Sequence, residues 1–345
     1  MSEPRTVLSS DAADVDLGEL GLDEAALTRL YEAMVTTRAV DERARRLHAD
    51  GEIAFYVASR GLEAVATGAA LPLGNDDWLF PSHRDLGMFL LRGGSLRAWF
   101  DQLFGNGADL VKGRRLPGYA SLPEGRFVSV GGRIGAQLVQ AAGCAMAMRH
   151  RRREVCALAS FGEAAFAGAD CHAALTLAAR FAAPVVFVCR SARRDRSVRT
   201  GGAAPLADRA RDYGLSAARV DGADALAVLA AVRQACDTAR GGGGATLVEA
   251  VLDQPALFGA ADGDGSPDRA RDPLARLQGF LEETGVWNGA RQEELGARLR
   301  RRVEEAVDAA RAEAAPDTAQ LFEDVYEELS WPLQEQRERL MAGGG

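Results

Sequence analysis

The middle of the chain alternates short apolar runs with longer segments of helical periodicity. Apolar runs occupy residues 155–160, 184–189 and 245–251, and the segments at 165–181 and 223–239 are rich in alanine and have helical spacing. Apolar runs joined by helices are typical of parallel strands that are buried on both faces. The sequence therefore predicts an α/β fold with a parallel sheet flanked by helices.

The remaining segments divide the chain into three predicted parts. Residues 1–20 are an acidic arm that we expect to be flexible, residues 21–270 form the α/β domain, and residues 271–345 form a helical C-terminal extension. Within the domain, residues 60–130 are rich in glycine, proline and aromatic side chains, with a short predicted helix at 96–104. We expect this irregular stretch to contribute to a pocket.

Composition excludes several classes of protein. The 345 residues are 47% hydrophobic and 26% charged, which is the profile of a soluble globular protein. The formal net charge of −8, with Lys112 as the only lysine, argues against nucleic-acid binding. No eighteen-residue apolar run and no basic, apolar leader are present, so we expect no membrane span and a cytoplasmic location. The five cysteines lack paired spacing, which predicts buried thiols rather than zinc ligands or disulfides.

The most informative local segment is Phe161-Gly162-Glu163-Ala164-Ala165, where a predicted strand passes into a predicted helix. Such a turn presents backbone N–H groups to an anion. A carboxylate there can also hold a divalent cation that bridges a diphosphate, because hard cations prefer oxygen ligands. The pentapeptide alone is a weak signal, and a tight turn with an exposed glutamate is the alternative interpretation.

Further motifs fall in the register of a known family. They are residues 60–65 (RGLEAV), 80–85 (FPSHRD), 137–143, 160–190 and 321–326 (LFEDVY). On these residues, from about position 30 to about position 340, the chain resembles the alpha subunit of the decarboxylating component of 2-oxo acid dehydrogenase complexes, the branched-chain type above all.

The resemblance implies a thiamine diphosphate-binding fold and a function. The implied reaction is oxidative decarboxylation of a branched-chain or pyruvate-type 2-oxo acid, with transfer of the acyl group to a lipoyl carrier. The implied assembly is an α2β2 heterotetramer with a beta subunit, serving a lipoyl-bearing acyltransferase. Because the activating glutamate of this family belongs to the beta subunit, no catalytic residue is assigned to this chain.

The resemblance also implies a set of cofactor-binding residues for thiamine diphosphate and Mg²⁺. They are His83, Arg84, Ile134, Gly162, Glu163, Ala164, Ala165 and Arg190. Arg84 and Arg190 are expected to bind the diphosphate, a role that suits planar guanidinium groups. The alternative is that both are ordinary surface arginines in an arginine-rich chain.

The implied metal shell departs from the family pattern. Glu163 keeps one side-chain ligand position, but Ala192 replaces the Asn ligand, and Arg194 replaces the Tyr whose main-chain oxygen coordinates the metal. A methyl group ligates no metal, and a guanidinium repels one. The family also has a histidine on a later loop, whereas the last histidine here is His172 and residues 257–268 contain none.

Residues 190–199 contain five arginines, for which three interpretations remain open. The first is a solvated charged loop. In the second, Arg193 or Arg194 pairs with Glu163 in place of a metal, so that the site takes the diphosphate without metal, or another anion such as coenzyme A or phosphopantetheine. The third is a binding module for an anionic carrier or peptide.

An alternative also stands against the dehydrogenase function as a whole. The replaced metal ligands are equally consistent with a repurposed or non-catalytic paralogue. Such a protein would keep the fold and the beta-subunit interface but would have lost magnesium-dependent cofactor binding.

Overall fold

The fold is built on a parallel sheet of five strands. The computed structural model describes residues 3–8, 15, 17–18, 20–192, 204–252, 271–323 and 326–343. Within them the strands are β1 (Trp78–Phe80), β2 (Ala157–Gly162), β3 (Val185–Ala192), β4 (Ser216–Asp221) and β5 (Thr246–Leu252). Their order in the sheet is β1-β2-β3-β5-β4, and every neighbouring pair is parallel. The predicted α/β fold with a parallel sheet is confirmed.

Helices flank this sheet. In the described part of the chain they are α1 (Glu24–Ala49), α2 (Glu63–Ala70), α3 (Leu86–Leu91), α4 (Leu96–Phe104), α5 (Ala136–His150), α6 (Ala169–Arg180), α7 (Leu206–Asp212), α8 (Ala225–Arg240), α9 (Pro273–Glu283), α10 (Gly289–Ala312) and α11 (Trp331–Gly343). Short 3-10 helices lie at Glu163–Ala167 and Thr318–Phe322. None of these helices is both long and apolar enough to span a bilayer.

Alternate residues of each central strand enter different cores. Val186 and Val188 of β3 pack in the core that holds α2 and α8, whereas Phe187 and Cys189 pack in the core that holds α5 and α6. Successive side chains of a strand point to opposite faces, so a strand buried on both sides must be apolar at every position. This explains the continuous apolar runs. The five cysteines are free thiols; four are buried and Cys144 is partly buried.

The boundary between β2 and α6 differs from the expected one. The sequence predicts one helix over residues 165–181, but a 3-10 helix at Glu163–Ala167 comes first, and α6 begins at Ala169. Gly168 separates the two, because its backbone is extended, with φ of −84° and ψ of 147°. The turn after β2 is therefore longer than the sequence suggests.

Residues 3–8 lie against the edge strand β4. Arg5 forms a parallel bridge with Val220, and the carboxylate of Asp224 accepts the backbone N–H of Val7 at 2.6 Å. Asp224 also caps the N-terminus of α8. The expected flexible arm stays a prediction, because the described residues omit positions 9–14, 16 and 19.

The C-terminal extension contains three helices in its described part. Thr284 ends α9, Gly285 follows with a φ of +74°, and the side chain of Asn288 caps α10. Helix α9 packs against α1, and helix α10 packs against both α1 and α4. In contrast, α11 buries none of its side chains.

Candidate functional site

The expected site residues meet at the carboxyl edge of the sheet. Arg84 follows β1, Gly162 ends β2, and Arg190 lies near the end of β3. Gly162 and Arg190 are direct partners in the register of β2 with β3. Because parallel strands end at the same edge, residues that are about a hundred positions apart in sequence lie side by side there.

Arg190 is held by a buried ion pair. Its Nη1 donates to Oδ1 of Asp85 at 2.9 Å, and its Nη2 donates to Oγ of Ser82 at 2.6 Å. The other carboxylate oxygen of Asp85 accepts the backbone N–H of Ser82 at 2.7 Å. These contacts fix the plane of the guanidinium at the sheet edge. Sequence reasoning placed Asp85 inside a motif without assigning it a role.

Arg84 is also buried and is fixed through the loop before α2. Its Nε donates to the carbonyl oxygen of Ala58 at 2.7 Å, and the hydroxyl of Ser59 donates to the carbonyl oxygen of Arg84 at 3.1 Å. Burial, and then the nearby charge of Arg190, lower the pKa of Arg84 to about 10. The two guanidinium groups therefore interact, and an anion bound by both would relieve their repulsion.

Asp41 supports this loop from α1. Its Oδ1 accepts the hydroxyl of Tyr56 at 2.7 Å and the backbone N–H of Ser59 at 2.6 Å. The side chain is buried, and burial raises the pKa of the Asp41 carboxyl. Sequence reasoning missed this residue. The sequence feature that could have identified Asp41 as buried is its helical spacing with Met34, Thr37 and Ala44, which are buried on the same helix.

His83 lies half-buried beside the two arginines. Its ring stacks on that of Tyr119, with centroids 5.8 Å apart and planes 9° apart. Burial lowers the pKa of His83, and the charge of Arg190 lowers it further. A neutral imidazole can donate one hydrogen bond and accept another.

The turn after β2 provides open space at the same edge. Apart from Gly162 itself and its two neighbours in sequence, no heavy atom lies within 4 Å of the position that a Cβ on Gly162 would occupy. Oε2 of Glu163 accepts the backbone N–H of Ala192 at 3.3 Å, so the end of β3 and the turn are in direct contact. Ala164 is exposed and Ala165 is buried.

Two comparisons with known proteins agree on a family. The family model described as dehydrogenase E1 component matches residues 31–319. The chain is 34% identical to the 3-methyl-2-oxobutanoate dehydrogenase subunit alpha of Mycobacterium tuberculosis, over 93% of this chain and 88% of that protein. It is 31% identical to the 2-oxoisovalerate dehydrogenase subunit alpha 1 of Arabidopsis thaliana, over 96% and 73%. The chain belongs to the dehydrogenase E1 component family.

Similarity within this dehydrogenase E1 component family extends to animals. The human 2-oxoisovalerate dehydrogenase subunit alpha is 29% identical over 92% of this chain and 74% of that protein. These three relatives are all named alpha subunits of a 2-oxoisovalerate or 3-methyl-2-oxobutanoate dehydrogenase. The resemblance drawn from the motifs is confirmed, and so is the expected function at the level of the family.

Seven of the eight expected cofactor residues lie along one edge of the sheet. Ile134 is the eighth. Its side chain is 72% exposed, and the next residue, Gly135, lies against Ala165 of the turn. Ile134 thus lies beside the other residues rather than buried among them. The roles of all eight residues stay predictions.

The described residues of the same edge do not form a cluster of metal-ligating side chains. Among the residues that the structure describes, no group of three or more His, Cys, Asp or Glu side chains is placed to hold a metal ion. Ala192 contributes only a methyl group beside Glu163. With Ala192 in place, the described residues offer Mg²⁺ the carboxylate of Glu163 but no side-chain ligand at position 192, whereas the buried guanidinium groups suit an anion.

Several expectations fall outside the described ranges. Arg193 and Arg194 lie in the gap between positions 192 and 204, as does most of the arginine-rich segment at 190–199. The hypothesis that one of them pairs with Glu163 is therefore neither supported nor contradicted. The loop at 257–268 also lies outside the described residues.

Proposed function

We propose that the chain is the alpha subunit of a thiamine diphosphate-dependent dehydrogenase that decarboxylates a branched-chain 2-oxo acid. The observation that carries the proposal is the pair of buried guanidinium groups, Arg84 and Arg190, at the carboxyl edge of the sheet beside the open turn at Gly162. The substrate class is supported by the names of the alpha subunits that the chain resembles over most of their length.

The residues of the edge would have different roles toward the cofactor. Arg84 and Arg190 would bind its diphosphate, and Ser82 and Asp85 would orient Arg190 for that purpose. Gly162, Glu163, Ala164 and Ala165 would border the diphosphate with the backbone of the turn, and His83 and Ile134 would contact the cofactor from the neighbouring segments. When bound, thiamine diphosphate supplies the electron sink that decarboxylation of a 2-oxo acid requires.

The rest of the reaction requires other chains. The proposed partners are a beta subunit, in an α2β2 heterotetramer, and a lipoyl-bearing acyltransferase that accepts the acyl group. The relatives support a subunit role, because each is named an alpha subunit. They favour this function over a repurposed or non-catalytic paralogue.

The test begins with the complex from native cells. The tagged full-length chain is purified, the associated beta subunit is identified, and reduction of an artificial electron acceptor is followed with branched-chain 2-oxo acids and with pyruvate. We expect activity that depends on added thiamine diphosphate and is higher with the branched-chain substrates. A complex that is inactive toward both, or that lacks a beta subunit, contradicts the proposal.

Arginine variants connect this activity to the site. Arg190→Gln and Arg84→Gln should each weaken the binding of thiamine diphosphate at least ~10-fold, because each removes charge-assisted hydrogen bonds to the diphosphate. Arg211→Gln is the matched control, since Arg211 is an exposed arginine on α7 that pairs with Asp208. Equal affinities in all three variants would show that the diphosphate binds elsewhere.

A further inference from the structure

The contact between Glu163 and Ala192 occupies the place that the family resemblance assigns to a metal ion. The carboxylate of Glu163 accepts the N–H of Ala192 at 3.3 Å, and the side chain of Ala192 has no atom that ligates. We infer that the described residues at this place do not form a divalent-metal site, and that the arginines at the sheet edge hold their anion without Mg²⁺. The identity of that anion as thiamine diphosphate rests on the proposed function.

The first argument is the supply of ligands. Mg²⁺ binds six oxygens in near-octahedral geometry, and proteins usually provide one or two carboxylates beside the phosphates and waters. Asp85 is a second carboxylate at this edge, but one of its oxygens accepts from Arg190 and the other accepts from the backbone of Ser82. Recruiting Asp85 to a metal would break the buried ion pair that orients Arg190, which carries a large cost.

The second argument is the direction of a dipole. The N–H of Ala192 points at Oε2 of Glu163, so the positive end of a backbone dipole faces one of the two carboxylate oxygens that could ligate a metal. A direct hydrogen bond leaves no room for an ion between these two atoms. An Asn at position 192 would instead bring a side-chain amide oxygen, which is a ligand that hard cations accept.

The third argument is charge. Arg84 and Arg190 are 8% and 4% exposed, and their charges act on each other. Buried guanidinium groups offer planar pairs of donors, which match phosphate oxygens without an intervening ion. The chain therefore retains the donors that a diphosphate needs although the metal ligand is missing.

The experiment measures metal binding directly. Mn²⁺ alone is titrated into the full-length chain, purified with its beta subunit, and free Mn²⁺ is followed by electron paramagnetic resonance. We expect the same free Mn²⁺ with the wild-type chain and with Glu163→Gln. A Mn²⁺ site that is present in the wild type and absent in Glu163→Gln would overturn the inference.

Two substitutions test whether residue 192 accounts for the missing metal site. Ala192→Asn should create a Mn²⁺ site and make thiamine diphosphate bind at least ~10-fold more tightly with Mg²⁺ than with EDTA. Ala192→Leu has the same branching at Cγ as Ala192→Asn without the ligand, and it should create no site. Equal Mn²⁺ binding by the two folded variants would contradict the assignment of the loss to residue 192.

Calorimetry separates this inference from the proposed function. Thiamine diphosphate is titrated into the wild-type complex in EDTA and in Mg²⁺, and we expect affinities that agree within ~3-fold and that fall in Arg190→Gln. Binding that requires Mg²⁺ overturns the inference but leaves the proposed function in place. An absence of binding in both conditions overturns the proposed function, while the Mn²⁺ titration still decides whether the metal site exists.

Discussion

Arg190 and Asp85 form a buried ion pair, with 2.9 Å between Nη1 and Oδ1 and side chains that are only 5% and 1% exposed. The pair joins strand β3 to the segment that follows β1. Ser82 closes the arrangement, because its hydroxyl accepts from Arg190 and its backbone N–H donates to Asp85. The same three residues therefore stabilise the sheet edge and orient the guanidinium that we assign to the diphosphate.

Asp85→Asn should destabilise the chain and weaken anion binding together. The substitution leaves a buried guanidinium without a charged partner, which costs about 3 kcal/mol of unfolding free energy. Urea unfolding of the full-length chain measures this loss, and calorimetry with thiamine diphosphate measures the change in affinity. Asp208→Asn is the control, because Asp208 pairs with Arg211 on an exposed helix face, and we expect a change below about 0.5 kcal/mol. Similar losses in the two variants would contradict the role given to burial.

The sheet was predictable from sequence because its signal is local. A strand that is buried on both faces must be apolar at every position, and the runs at 184–189 and 245–251 fall within three residues of β3 and β5. The start of α6 was not predictable, because Gly168 interrupts an alanine-rich segment that otherwise favours helix throughout. One extended glycine overrides the propensity of its neighbours.

The site was predictable in part for a different reason. Arg84 and Arg190 came from the motifs of the family, whereas the roles of Asp85 and Asp41 depend on contacts with residues that are distant in the chain. Asp85 meets Arg190 across 105 positions of sequence. The hydrogen bonds that connect Asp41 to Arg84 run through Ser59, so no spacing rule links the two residues. Such contacts can be identified only from the three-dimensional structure.

His83 should titrate below the ordinary histidine range. Burial and the charge of Arg190 lower its pKa, so the imidazole is neutral at pH 7, and its contribution to stability is lost as the pH falls below about 6.5. Proton NMR of the imidazole, assigned with His83→Gln, measures the midpoint. Binding of thiamine diphosphate should raise that midpoint, because a nearby anion favours the charged form. A midpoint at or above about 6.5, or one unchanged by the cofactor, would contradict the placement of His83.

Two tryptophans of the C-terminal extension should differ sharply in their effect on stability. Trp287 is 5% exposed, packs edge-on against Tyr31 and donates from Nε1 to Gln292 at 2.9 Å. Trp331 begins α11 and is 75% exposed. Trp287→Ala should cost about 3–5 kcal/mol of unfolding free energy, and Trp331→Ala should change it by less than about 0.5 kcal/mol. Urea unfolding of the isolated full-length chain measures both, and equal losses would show that α11 packs on the core in solution.

Asp41 should lower the free energy of unfolding in a pH-dependent way, and Asp41→Asn should remove this dependence. Burial raises the pKa of the carboxyl, so the native state holds its proton more tightly than the unfolded state does. The contribution of Asp41 to the free energy of unfolding is therefore highest below the ordinary aspartate pKa of about 4. It decreases as the pH rises toward the pKa of Asp41 in the native state. Asp41→Asn keeps an oxygen that accepts from Tyr56 and Ser59, and it removes the titration.

Urea unfolding of the wild type and of Asp41→Asn across this pH range measures the difference. The free energy of the asparagine variant should rise relative to the wild type between about pH 4 and pH 7, because the contributions of all other groups cancel in the difference. A constant difference would mean that Asp41 ionises as easily in the native state as in the unfolded chain. Asp41→Ala serves as the contrast: it leaves two donors without an acceptor and should be less stable than Asp41→Asn by about 2–4 kcal/mol at every pH. It should also weaken thiamine diphosphate binding, since the loop that holds Arg84 loses its support.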